Sequence, residues 1–205
     1  LTIKALCRIL FAAEKILLQE ACTMEQSQKS RANVYGMVIT ALFTALTVVC
    51  AQISIPIGPV PINLALLAVF AAGGCLGPVK AVISQLVYLL AGLAGLPFFA
   101  GFQGGPGVLL GPTGGYIIGY AFAALITGLL AVRFHRRFWP CALGMLLSLA
   151  VCYAFGTAWY AISTHTGFVP ALMVCVVPFI PGDLCKIALA AFLTARLKRI
   201  YSAHL

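Results

Sequence analysis

The chain has 205 residues, of which 62% are hydrophobic and 8% charged, and its formal net charge is +9. Soluble domains carry roughly a quarter charged residues because they must face water, so a mean hydropathy of +1.08 excludes a soluble enzyme and makes lipid the main solvent. The basic balance does not indicate nucleic acid either, because the bases sit at the ends of apolar runs, which is a pattern of membrane topology.

In chain order, residues 1–23 stand apart. Lys4, Arg8 and Lys15 fall near one side of a helical wheel among Leu, Ile and Phe. Two readings are open: an amphipathic helix lying on the membrane surface, or a non-native leader ahead of Met24, whose following Glu25-Gln26-Ser27 resembles the opening of many polytopic proteins. The second is preferred. Residues 24–205 then form a single membrane domain, with apolar stretches at 34–55, 62–77, 79–95, 113–132, 138–162 and 182–198. Spanning a hydrocarbon core of about 30 Å takes roughly 20 helical residues, so the expected fold is an all-α bundle of about six transmembrane helices. The second and third stretches are short and meet at a tight turn, Gly77-Pro78-Val79-Lys80.

Lys and Arg orient the bundle. Lys29 and Arg31 precede the first stretch, Lys80 lies between the second and third, Arg133, Arg136 and Arg137 separate the fourth and fifth, and Arg196, Lys198 and Arg199 follow the sixth. The alternate connections, at 56–61, 96–112 and 163–181, contain none. Both termini are therefore expected in the cytoplasm. The eight cysteines are scattered, with no C-x-x-C pair and no clustered His, so they do not read as a disulfide or metal framework. Cys50, Cys75, Cys141 and Cys152 fall within apolar runs, where a free thiol packs as a small hydrophobe.

Against this background Asp183 is the only carboxylate after Glu25, and Lys186 the only base on the outer side of the expected topology. Three residues apart at the start of the last helix, they share a face. An N-cap accounts for the Asp, and snorkelling would account for the Lys alone. Ionisable groups this close together in a membrane segment mark a functional site instead. The long outer connection, Gly95 to Tyr116, mixes glycines with aromatic residues, and irregular backbone near membrane depth is tolerated where it lines a cavity. No G-x-x-x-x-G-K-[ST] occurs in the chain, so it has no nucleotide-binding loop of that kind. Ala41 and Ala45 form a small-xxx-small pair that allows close helix approach, although such pairs are common in Ala-rich membrane sequence.

Several runs carry a family resemblance: Val60-Pro61-Ile62-Asn63, Leu76-Gly77-Pro78, Gly95-Leu96-Pro97-Phe98-Phe99-Ala100-Gly101, Gly104-Gly105-Pro106-Gly107, Leu110-Gly111-Pro112-Thr113-Gly114-Gly115-Tyr116 and Pro181-Gly182-Asp183-Leu184-Cys185-Lys186. Over about residues 32–200 the chain resembles the BioY family, the biotin-specific substrate-binding (S) components of energy-coupling-factor (ECF) transporters. The resemblance implies a six-helix fold in a bacterial or archaeal cytoplasmic membrane that captures biotin at the extracellular side. It also implies a scaffold transmembrane subunit and two ATPase subunits as partners, with no cofactor beyond the transported substrate. It assigns Ala41 and Ala45 to the scaffold contact. Where family members often carry Arg in the Gly-rich loop, this chain has Gln103.

The chemistry fits such a ligand. Biotin's ureido ring offers two N–H donors and a carbonyl, and its tail a carboxylate. Asp183 can accept ureido N–H bonds, and Lys186 can answer the ureido carbonyl, the tail or Asp183 itself. Phe98, Phe99, Phe102 and Tyr116 are candidate apolar walls, Gly104 and Gly105 let backbone approach, and Tyr88 and Gln85 are candidate polar contacts. Competing readings are an S component for another small vitamin, an intramembrane enzyme and a passive channel. The second lacks a metal-ligand cluster or a Ser–His pairing, and the third lacks a ring of polar pore-lining residues.

Overall fold

The computed structural model describes residues 33–56 and 60–201, with side chains as far as residue 197. The segment 1–23 lies outside the described residues. Thr40–Leu205 form one compact unit, separate from Leu1–Ile39, and the architecture below is that of the larger unit.

The chain runs through α1 (Asn33–Gln52), a two-stranded antiparallel hairpin of β1 (Ser54–Ile55) and β2 (Ile62–Asn63), then α2 (Ala65–Leu76) and α3 (Pro78–Leu93). It continues through α4 (Pro106–Leu110), α5 (Gly114–Arg133), α6 (Phe138–Thr164), α7 (Phe168–Cys175) and α8 (Ile180–Tyr201). Each expected apolar stretch corresponds to a helix within a few residues. Among the described residues three helices, α1, α5 and α6, are long and apolar enough to cross a membrane, and α7 with α8, bent by 57° at their junction, make a fourth candidate. At 12 and 16 residues, α2 and α3 fall short of that length.

Three departures from the sequence expectation have local causes. The second stretch opens as β2 rather than helix because Pro61 and Asn63 favour extended and turn backbone. The glycine-rich connection holds the single-turn helix α4, which starts on Pro106, a residue suited to a first helical turn. The connection after α6 contains α7, whose Pro170 also falls in a first turn; Pro178 and Pro181 mark the break before and within the opening of α8.

Every residue of α2 except Leu67 is buried, and the helix packs against α3, α5 and α8. A helix apolar on all sides belongs inside the bundle, and its small residues let neighbours close on it. A Cβ at Gly73 would come within 2.8 Å of Thr127 on α5, and one at Gly74 would overlap Thr194 on α8. Between α5 and α6, Gly156 receives the ring of Tyr116 and Gly115 lies against Trp159. Such contacts replace the hydrophobic driving force that lipid does not supply.

The α2–α3 break is held by Gly77, at φ +81°, with Pro78 opening α3. Carbonyls near the end of α2 find a remote partner: Arg136, in the α5–α6 turn, donates from Nε to Gly74 O at 3.0 Å and from a terminal nitrogen to Cys75 O at 3.2 Å. Helix-terminal carbonyls lack intrahelical donors, and this arginine answers two of the last carbonyls of α2.

Candidate substrate-binding site

The site forms where helix ends of alternating direction meet: the start of α2, the end of α3, the starts of α5 and α8, and the middle of α6. They enclose a cavity of about 500 Å³, well within the size of small-molecule sites. From α8 come Asp183 and Lys186, both buried and ion-paired across one helical turn at 2.5 Å. Lys186 Nζ also donates to the Asn63 carbonyl at 2.7 Å, and Tyr153 Oη on α6 donates to Asp183 Oδ2. Asn63 Oδ1 caps the Ala65 N–H at 3.1 Å and accepts from Tyr120 Oη at 3.4 Å. Thus α8, β2, α5 and α6 join in one polar network around the cation and the carboxylate.

The rest of the wall is largely apolar and aromatic. Tyr88 from α3 meets Phe99 edge-to-face, with ring centroids 5.6 Å apart, and both are buried. Tyr116 lines the cavity while its hydroxyl pairs with Thr157 Oγ1 at 3.1 Å. Gln103 also lines it, though largely exposed to solvent. These residues, with Asp183 and Lys186, are those of the sequence-derived set that the structure brings together.

The others lie elsewhere. Gln85 is buried between α3 and α1, where Nε2 donates to Thr47 Oγ1 at 3.3 Å. Phe98 is half-buried and Phe102 is 72% exposed, with a φ of +58° that turns its ring away from the core. Gly104 and Gly105 shape the loop: a Cβ at Gly104 would meet the Leu96 carbonyl, and Gly105 N–H donates to Gly92 O at 2.7 Å. Ala41 and Ala45 are exposed on α1, on the side away from buried Thr44 and Thr47. Sequence reasoning passed over Asn63, Tyr120 and Tyr153. Asn63 was readable as the only polar side chain in the second apolar stretch, and Tyr120 lies one helical turn beyond Tyr116 on the same face. Nothing in the sequence singles out Tyr153 among the residues of a long apolar helix.

Apolar helices around a cavity with a few converging polar groups define a membrane protein that holds a small solute. The sequence pattern of the BioY family matches residues 24–203, and the chain belongs to that family. Among its relatives, a probable biotin transporter BioY from Pyrococcus horikoshii is 44% identical over 160 residues, covering 78% of this chain and 94% of that one. The biotin transporter BioY of Thermotoga maritima is 40% identical over 164 residues, covering 80% and 96%. The crystal structure of the S-component for biotin from an ECF-type ABC transporter superposes with a TM-score of 0.77 at 30% identity, covering 82% of this chain and 96% of the other. The chain is therefore a multi-pass membrane protein of a transporter family, not an enzyme.

The ion pair itself is open to test without ligand. Lys186→Met keeps the aliphatic stem but leaves Asp183 buried without its cation, and is expected to destabilise the protein by roughly 3 kcal/mol. Thermal unfolding in detergent measures this. Asp183→Asn combined with Lys186→Met should recover much of the loss. A Lys186→Met variant as stable as wild type would show that the pair is effectively solvated, and a double variant no more stable than the single would show that the stranded charge is not the cause of the loss.

Proposed function

We propose that the chain is the substrate-capture subunit of a vitamin uptake transporter, binding biotin at the extracellular side and delivering it with an ATP-driven energy-coupling module. The observation that carries this reading is the Asp183–Lys186 pair facing a cavity of suitable size in a BioY-family chain.

The unsatisfied valences of that pair suit a ureido ring. Lys186 commits two of its three N–H donors, to Asp183 Oδ1 and Asn63 O, and keeps one for the ureido carbonyl or the tail carboxylate. Asp183 accepts once at each oxygen, from Lys186 and from Tyr153, so each oxygen retains a lone pair for a ureido N–H. Such bonds to an ionised acceptor are about twice as strong as neutral ones. Tyr88, Phe99 and Tyr116 supply flat apolar surface for the bicyclic ring and the aliphatic tail.

In the membrane, α2 and α3 serve as two further passes in addition to α1, α5, α6 and the bent α7–α8 span, giving six with both termini cytoplasmic. Two features support this. Lys80, Arg133, Arg136 and Arg137 lie near helix ends opposite the cavity, and α2 is enclosed by other helices while α3 turns Val79, Ile83, Leu86, Val87 and Leu90 outward, an apolar face suited to lipid. A scaffold subunit and two ATPase subunits complete the transporter, with the exposed Ala41 and Ala45 as the scaffold-facing stripe.

Three measurements test the reading. In a background without native thiols, a cysteine at Arg137 should be labelled only from the cytoplasmic side and one at Thr166 only from outside; both positions are exposed, and labelling of position 137 from outside would sink the topology. Calorimetric titration should show biotin binding with other vitamins silent, and Asp183→Asn should cost roughly 2–4 kcal/mol, or about 30- to 1,000-fold in affinity. Near-normal affinity would place the ligand elsewhere, since Asn preserves the helix-start geometry. Ala45→Trp should bind biotin normally yet fail to co-purify with the energising module, whereas lost binding would mean that this face packs within the chain.

A further inference from the structure

The segment 97–103 supplies one wall of the cavity through Phe99, Ala100, Gly101 and Gln103. Its flanks are pinned to α3 by Leu96 N–H on Ala91 O at 3.2 Å and Gly105 N–H on Gly92 O at 2.7 Å. Between those pins stand two residues with positive φ, Gly101 and Phe102, and the glycine favours no single conformation by itself. Within the segment, one backbone bridge joins Phe99 N–H to Gln103 O at 2.9 Å.

The remaining order comes from a residue some 45 positions earlier. Gln52, the last residue of α1, places Nε2 at 3.3, 3.1 and 3.1 Å from the carbonyl oxygens of Pro97, Phe98 and Phe99. Its Oε1 accepts the Phe102 N–H at 2.9 Å. A glutamine ending a helix could simply finish its own last turn, but its two N–H donors, shared among three carbonyls, and its Oε1 acceptor all turn to the remote segment. We propose that Gln52 is the positioning residue of the binding site, a strut that fixes the 97–103 wall against α1 and so sets the residence time of the ligand. The proposal rests on the biotin-capture reading for its ligand, though not for its structural arm.

Only glutamine fits the arrangement. Its amide is a donor at one end and an acceptor at the other. Glutamate would turn acceptors toward three carbonyls, and asparagine, one methylene shorter, would fall about 1.5 Å short of them. Phe99 makes the position consequential: its ring lies against Gly92, where a Cβ would collide with it, and against Tyr88 across the cavity wall. Releasing the carbonyls of 97–99 frees Phe99 from one side while the other still presses on it.

The test uses the full chain in detergent, with Gln52→Ala and Gln52→Glu. Hydrogen exchange of the ligand-free protein, read by mass spectrometry, should quicken by about tenfold or more at the amides of 99–105 in both variants, because that opening becomes local and cheap. Exchange in α5 and α6 and the melting temperature should stay at the wild-type level, which a general packing defect would not allow. Biotin dissociation should accelerate by about tenfold while association changes less than about threefold, as expected when a preformed site is loosened rather than blocked. Wild-type exchange across 99–105 in a folded variant overturns the proposal, whether or not biotin binds. A wild-type chain that fails to bind biotin defeats the functional reading alone, and the exchange measurement then decides the strut. If Gln52→Ala does not fold, the isosteric Gln52→Glu carries both measurements.

Discussion

Withdrawing Asp183 and Lys186 from water costs several kcal/mol per charge unless each finds partners of opposite polarity, and the bundle is arranged to provide them. Their spacing puts them on one face of α8, which lets them pair. Neither is satisfied by the other alone. Tyr153 reaches Asp183 from α6, and the Asn63 carbonyl reaches Lys186 from β2. That carbonyl is available because the chain enters α2 through a short strand and a turn, leaving backbone outside the helix at cavity depth. The same turn is stabilised by the Asn63 side chain, which caps Ala65 and takes the Tyr120 hydroxyl. One ion pair thus ties together four segments that hydropathy alone would only stack.

Close approach of those segments depends on side chains that are nearly absent. Gly73 and Gly74 on α2 face Thr127 and Thr194, and the hydroxyl of Thr127 in turn pairs with Ser148 on α6 at 2.8 Å. On the opposite side, Thr44 of α1 reaches Ser84 on α3 at 3.1 Å. The pattern is one of small residues admitting neighbours and small hydroxyls joining them, since burial against other apolar atoms gains little over lipid. Gln85 belongs to this seam. Its residue type suits a ligand contact as well as it suits a helix–helix bond, and only the fold shows that its amide turns toward Thr47.

This contrast marks the limit of what the sequence disclosed. Hydropathy runs gave each long helix to within a few residues, because the lipid solvent acts on composition directly. Asp183 and Lys186 were legible by scarcity: one acid in a basic, apolar domain invites an explanation. Phe99 and Tyr116 were found as aromatics beside glycines and Tyr88 as a candidate polar contact of the third apolar stretch, but Phe98 and Phe102 fit the first description equally and lie outside the cavity wall. Direction along a loop is set by φ values such as the +58° at Phe102, which residue type does not reveal. Helix α7 was hidden for a different reason, since its one proline reads as punctuation although Pro170 occupies a first turn that tolerates it.

A common requirement explains two long polar side chains that neither hydropathy nor motif brings forward. Backbone carbonyls at membrane depth have little water to meet them, so any that leave helical bonding need a donor from elsewhere in the protein. At one end of the bundle, the carbonyls of Gly74 and Cys75 meet Arg136; at the other, those of Pro97, Phe98 and Phe99 meet Gln52. Both side chains present more than one N–H in a planar group, which lets a single residue serve successive carbonyls of one strand of backbone. Arginine stands at the end where the bases collect, whereas an uncharged amide serves the segment that walls the cavity. The amide also does there what a guanidinium could not, because Oε1 accepts the Phe102 N–H, and arginine has no acceptor.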